Sequence, residues 1–140
     1  MVDEERISDL LVAAEAYLAD VRHFADEVGR DGFLAERGEQ YRIAFPLQQA
    51  IQIAIDLAAH LLADQPGHRP ATLAGLFDAL ADRGILDLEL AGRLAAMARF
   101  RNLLVHQYAE VDAARVWEIV TGDLTDVDAF LAQVAGRLGS

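Results

Sequence analysis

Apolar residues in this chain recur at intervals of three and four and nowhere alternate over a useful length, which commits most of it to amphipathic helices. From Asp3 to Val28, residues Ile7, Leu10, Leu11, Ala14, Leu18, Val21 and Ala25 fall on one such stripe, a helix facing a core. Gly29, Gly32 and Gly38, with charges between them, read as a connection with room for a short helical turn at Asp31 to Arg37. A long apolar helix then runs from about Glu39 to Ala63, and Pro46 kinks it or marks where its inner part begins. Pro66, Gly67 and Pro70 make Asp64 to Ala71 a loop, Thr72 caps a short helix, and Gly84 suits the left-handed position at its end. Asp87 caps a helix from Leu88 to about Val105, and Asp112 caps a last one reaching Leu138, with Gly122 able to bend or break it. With no internal repeat and no low-complexity tract, the expected fold is all-α: an up-and-down bundle of four or five helices joined by short loops.

The 140 residues fit one globular domain, 1–140, large enough to build a core without staples. Cys is 0, which removes disulfides, thiolate metal sites and cysteine nucleophiles and is compatible with a reducing cytoplasm. The amino terminus is acidic where a secretory leader would be basic, so no export is expected. The richest apolar stretch, Ile43 to Ala63, carries Pro46, Gln48, Gln49, Gln52, Asp56 and His60, so a buried helix rather than a membrane span is expected. All 12 basic residues are arginine, against 23 acidic ones, for a net charge of -11. A sequence-independent nucleic-acid coat needs a basic footprint, so no DNA partner is expected, and any RNA contact must come from a local arginine cluster.

That cluster is Arg99-Phe100-Arg101-Asn102-Leu103-Leu104-Val105-His106-Gln107-Tyr108, at the end of one helix. At about 100° per residue, Asn102 and His106 share a stripe with Arg99 nearly beneath, and Arg101 and Tyr108 share the neighbouring stripe. The expectation is a single polar band, with Leu94, Met97, Ala98, Leu104 and Val105 holding the helix in the core from the other side.

The band resembles the signature of the HEPN superfamily, and specifically its HepT-like ribonuclease toxins, with the motif Arg-x4-His-x-Tyr at Arg101, His106 and Tyr108. The likeness continues through Val111-Asp112 and Val116-Trp117, and the run from Ala50 to His60 is similar to the family's inner second helix. It implies a HEPN-type bundle that dimerises through the motif-bearing helices. It also implies an endoribonuclease, the toxin of a type VII toxin–antitoxin pair, whose partner is a minimal nucleotidyltransferase that transfers AMP to the motif tyrosine, here Tyr108. No cofactor and no metal are implied.

The residue types suit that chemistry. Metal-free RNA cleavage deprotonates a 2′-hydroxyl, attacks the adjacent phosphorus and protonates the leaving 5′-oxygen. An imidazole, as a class titrating near pH ~6.5, can shuttle those protons from His106. The permanently charged fork of Arg101 can hold the phosphoryl oxygens as charge grows on them. Asn102 can orient the imidazole or bond the phosphate, and Arg99 is a second-ranked cation that steers RNA or is merely solvated. One motif histidine per chain is short for acid and base together, and a homodimer facing two motifs across a cleft supplies the second. AMP on Tyr108 would place negative charge and bulk where the RNA phosphate binds.

Blander readings stand beside these. Arg101 can be a structural ion pair, His106 a helix-end residue favoured by the macrodipole, and Tyr108 a rim residue. The alternative function is then a non-catalytic helical binding module that partners a nucleotidyltransferase. Asp56 and His60 read as a satisfied buried pair, since two ligands are short of a metal set. His23 and His68 read as surface residues, and Trp117 as core.

Overall fold

The computed structural model describes residues 3–63, 65, 67, 70–106 and 111–138. Helices occupy α1 (Glu4–Ala35), α2 (Arg37–Leu62), α3 (Leu73–Asp82), α4 (Leu88–His106), α5 (Ala113–Glu118) and α6 (Leu124–Arg137). A π-helical turn, Ile119–Asp123, makes α5 and α6 one continuous rod, so the bundle has five rods, and no strand occurs among the described residues. No helix among the described residues is long and apolar enough to cross a membrane.

The caps fall where side-chain chemistry put them. Thr72 Oγ1 accepts from Gly75 N at 3.0 Å, Asp87 Oδ2 from Leu90 N at 3.1 Å and Asp112 Oδ1 from Ala114 N at 2.9 Å, each satisfying an orphan amide of the first turn. Gly84 stands at φ 71° after α3, as expected of a left-handed terminator.

The first connection differs from the expected one. Helix does stop at Gly29, at φ 72° and ψ 168°, a region open essentially to glycine alone. It resumes at once over 30–35, and Glu36 alone, extended at φ -112° and ψ 110°, links α1 to α2. Gln40 Nε2 makes so short a link possible by donating to Phe33 O (2.9 Å) and Leu34 O (3.3 Å), carbonyls that the end of α1 leaves open. Pro46 lies inside an unbroken α2; the cost is one intrahelical donor, that for the Arg42 carbonyl.

Lateral pairs set the directions of the rods. Arg42 of α2 meets Glu27 of α1 at 2.8 Å, and the rings of Phe45 and Tyr17 lie 6.3 Å apart edge to face, so α1 and α2 run antiparallel. The α5–α6 rod is antiparallel to α1, because Trp117 lies on Phe33 at 5.3 Å and Arg22 forks onto Asp128 further along. Arg93 of α4 meets Asp126 at 2.9 Å while Phe100 and Arg115 line one groove, so α4 is antiparallel to that rod and parallel to α1. The end of α4, the start of α2 and the start of α5 therefore share one end of the bundle. This is the up-and-down arrangement expected from the sequence.

Ile43, Leu47, Ala50, Leu57 and Ala58 of α2 are wholly inaccessible, as are Ala14 and Val21 of α1. Phe77 of α3 meets Phe130 of α6 edge to face at 5.4 Å and closes the core on its other side. Trp117 is half-buried, packing on Phe33 as a core residue whose rim reaches solvent.

Truncating Leu47 to Ala should lower the unfolding free energy by about 3 kcal/mol through lost burial and a residual cavity, read by urea denaturation. Gly29→Ala should cost about 1–3 kcal/mol by forcing a side chain into the glycine-only region. The Arg42 guanidinium, by hydrogen bond and then by charge, holds the Glu27 carboxyl below its usual range. A carboxyl lowered on folding contributes stability above its ordinary titration range, and that contribution fades as pH falls through the lowered value. Arg42→Ala should therefore move the Glu27 carboxyl titration, followed by NMR, upward towards that of an unpaired glutamate.

Candidate functional site

α4 carries the motif into its last turn, with Leu90, Leu94, Met97, Ala98 and Leu104 buried beneath it. Arg99, Asn102 and His106 are exposed, so the predicted stripe of these three is present on the solvent face. Leu103, 46% exposed, lies beside them. Neither Arg99 nor His106 makes a side-chain hydrogen bond or ion pair among the described residues. Among the described residues nothing competes with a ligand for their donors and acceptors.

Arg101 departs from the predicted single band. It is half-buried, and about 140° of helix separates it from His106 at 100° per residue, so the two flank the helix rather than share a face. Its Nη1 reaches Asn102 Oδ1 at a long 3.4 Å, the one hydrogen bond it makes among the described residues. Its Nε is the one buried side-chain nitrogen or oxygen with no partner among the described residues. Asn102 thus bridges the two flanks, its carbonyl turned to Arg101 and its stripe shared with His106. Tyr108 lies outside the described residues, as does His68.

The other candidates separate from this cluster. Asp56 is half-buried and accepts from Gln52 Nε2 at 2.9 Å rather than from His60, so the expected Asp56–His60 pair gives way to a polar contact one turn earlier. His60 and Arg6 line the same open depression as Asp56. His23 is on the surface as expected, with Glu27 3.5 Å away. Among the described residues no three His, Asp or Glu side chains gather as metal ligands.

Periodicity offers no sign of a second feature on α4: a groove between its flank and the π-helical turn, floored by Met97, Phe100 and Ile119 and rimmed by Arg93, Arg115, Asp123 and Asp126. The groove joins residues more than twenty positions apart, which periodicity cannot pair. Gly122 within Ile119–Asp123 was the nearest signal. Asp126, through its hydrogen bond, holds the Arg93 proton more tightly than usual.

A buried guanidinium nitrogen without a partner costs stability, because its lost hydration is not replaced. Arg101→Met, which keeps the apolar stem, should leave the unfolding free energy unchanged or raise it by up to ~1 kcal/mol. A loss of ~2 kcal/mol in the same denaturation measurement would instead mark Arg101 as a structural residue.

Residues 14–134 match the family described as Ribonuclease HepT-like. The chain is similar to the tRNA nuclease HepT of Aphanizomenon flos-aquae, 28% identical over 122 residues covering 87% of this chain and 82% of that protein. It is also similar to the mRNA nuclease HepT of Shewanella oneidensis, 28% identical over 102 residues covering 67% of this chain and 77% of that one. In fold it matches a tri-AMPylated Shewanella oneidensis HEPN toxin solved in complex with MNT antitoxin, with a TM-score of 0.87 at 22% identity, over 98% of this chain and 100% of that one. The helical order, the capped motif helix and a match spanning nearly every rod agree: the chain belongs to the Ribonuclease HepT-like family.

Proposed function

We propose that this chain, residues 1–140 acting as one HEPN-type domain, is the toxin of a type VII toxin–antitoxin pair and a metal-independent endoribonuclease of the cytoplasm. The observation that carries the reading is the state of the motif helix end. Arg101 keeps a desolvated nitrogen with no partner among the described residues, beside an exposed stripe of Arg99, Asn102 and His106, on a chain whose relatives are named nucleases. A fold gains nothing from that arrangement, whereas an anion arriving at Arg101 would find a donor in a site of low dielectric, where charge interactions are strong.

In the reaction His106 takes the proton of the 2′-hydroxyl as its oxygen attacks phosphorus, and an imidazolium returns a proton to the departing 5′-oxygen. Arg101 donates to the phosphoryl oxygens as their charge grows, Asn102 positions the imidazole or the phosphate, and Arg99 draws the strand in. The angular separation of Arg101 from His106 within one chain supports a homodimer through the motif-bearing helices, in which two motifs line one cleft and acid and base come from different copies. A cognate minimal nucleotidyltransferase neutralises the toxin by placing AMP on Tyr108, as the tri-AMPylated relative suggests. The added phosphodiester then competes with RNA for Arg101.

The same separation also favours the alternative, a non-catalytic module whose polar stripe is a surface for the nucleotidyltransferase. Cleavage of labelled single-stranded RNA in EDTA separates the two. The enzyme reading expects cleavage, with Arg101→Ala and His106→Ala each losing about 10²–10⁴-fold at unchanged helicity. Silence of the unaltered chain, with no added mass on Tyr108 and with partner binding that survives His106→Ala, would move the assignment to the binding module.

A further inference from the structure

The groove between α4 and the π-helical turn has an apolar floor and a balanced polar rim. Met97 and Ile119 are buried beneath it and Phe100 lies half-buried beside them, while Arg93 meets Asp126 at 2.9 Å and Arg115 meets Asp123 at 3.1 Å along the edge. Glu89 (3.3 Å) and Glu118 (3.2 Å), outside the lining, pair with the same two guanidiniums. The cavity is about 340 Å³, at the small end of ligand pockets. A pocket of that size, with an apolar floor, an aromatic edge and matched donors and acceptors, suits a small, planar, uncharged group.

The rim has capacity to spare. Arg115 places only Nη1 on Glu118 and Asp123, so its Nε and Nη2 have no partner among the described residues. Asp123 accepts through Oδ2 and Asp126 through Oδ1, which leaves one oxygen of each carboxylate without a partner among the same residues. The groove also adjoins the phosphate-binding end of the motif. Met97 and Arg101 are four residues apart, about 6 Å along α4 and about 40° around it, and Phe100 immediately precedes Arg101.

We infer that this groove seats a guanine base next to the scissile phosphate of the RNA. The inference rests on the nuclease reading proposed above and adds which nucleotide the site selects. Hydrogen-bond complementarity carries it. Guanine can pair its N1–H and N2–H donors with a carboxylate and its O6 and N7 acceptors with an arginine fork, so it uses both kinds of rim group. No other RNA base presents both a pair of adjacent donors and a pair of adjacent acceptors. The ring lies on Met97 and Ile119 against the Phe100 side chain, as bases do on aromatic platforms, while the charged phosphate stays with Arg101.

The test is cleavage, in EDTA, of a single-stranded RNA pool with the four bases equally represented, the cut ends being read by sequencing. The groove expects the unaltered chain to cut beside guanine at least about tenfold more often than beside any other base. Asp123→Asn, which replaces one acceptor oxygen by a donor, should lower that ratio about tenfold. Phe100→Leu keeps apolar bulk but loses the ring face, and should raise KM for a guanine-containing oligonucleotide about fivefold, more than it lowers kcat. Glu15→Gln on the exposed face of α1 removes the same charge elsewhere and should leave the ratio within about twofold. If urea denaturation shows that Phe100→Leu does not fold, the Asp123→Asn ratio alone decides. Cutting without base preference, preference for another base, or a guanine preference that Asp123→Asn retains each overturns the groove and leaves the nuclease standing. Silence of the unaltered chain, with no added mass on Tyr108, overturns the nuclease reading and the groove with it.

Discussion

α2 is the constraint on which the bundle depends. It packs against α1, α3, α4 and α6, and half of its 26 residues are buried, so its surface meets protein over most of its circumference. A helix buried on that scale leaves its neighbours little choice of position. Each must cover a strip of α2 with its own apolar stripe and keep its charges outside. The outer strip that remains, with Phe45 at 58% and Tyr41 at 50% exposed, is also the part of α2 that carries glutamines and Asp56.

Around that centre the charged pairs act as registration more than as stability. Arg42 with Glu27, Arg22 with Asp128 and Arg93 with Asp126 each join two rods at the rim of the core, half-exposed and screened by solvent, where a pair contributes little net energy. Sliding any rod by a turn would break its pair and expose its apolar stripe together. The absence of lysine fits this use, because a planar guanidinium can bind two carboxylates at once, as Arg42, Arg93 and Arg115 do.

The motif helix is where the fold departs from stability as its organising principle. Most of α4 is small or apolar, yet its last turns hold a desolvated guanidinium nitrogen and an exposed imidazole on different flanks. Among the described residues, local consistency is broken at this one buried nitrogen, where the side chain does not serve the fold. The groove floored by Met97, Phe100 and Ile119 lies on the Arg101 flank, so the same helix carries an apolar cleft on one side and an exposed polar stripe on the other.

Much of this was legible in the residues themselves. Helix periodicity, the caps at Thr72, Asp87 and Asp112 and the left-handed glycine at 84 are local properties, set by interactions within a few residues, and they stand where the sequence put them. The break at Gly29 and a helical turn after it are legible in the sequence, but the reduction of the link to Glu36 alone is not, since the Gln40 side chain that holds the turn acts across it from the next helix. The burial of Arg101 and the Gln52 partner of Asp56 could not be read from a helical wheel. A wheel gives an angle around one helix, while burial depends on which neighbour covers that angle. The groove is further still from the sequence, because Arg93 and Asp126 meet only after two rods have packed antiparallel in one register, and only the assembled core fixes that register.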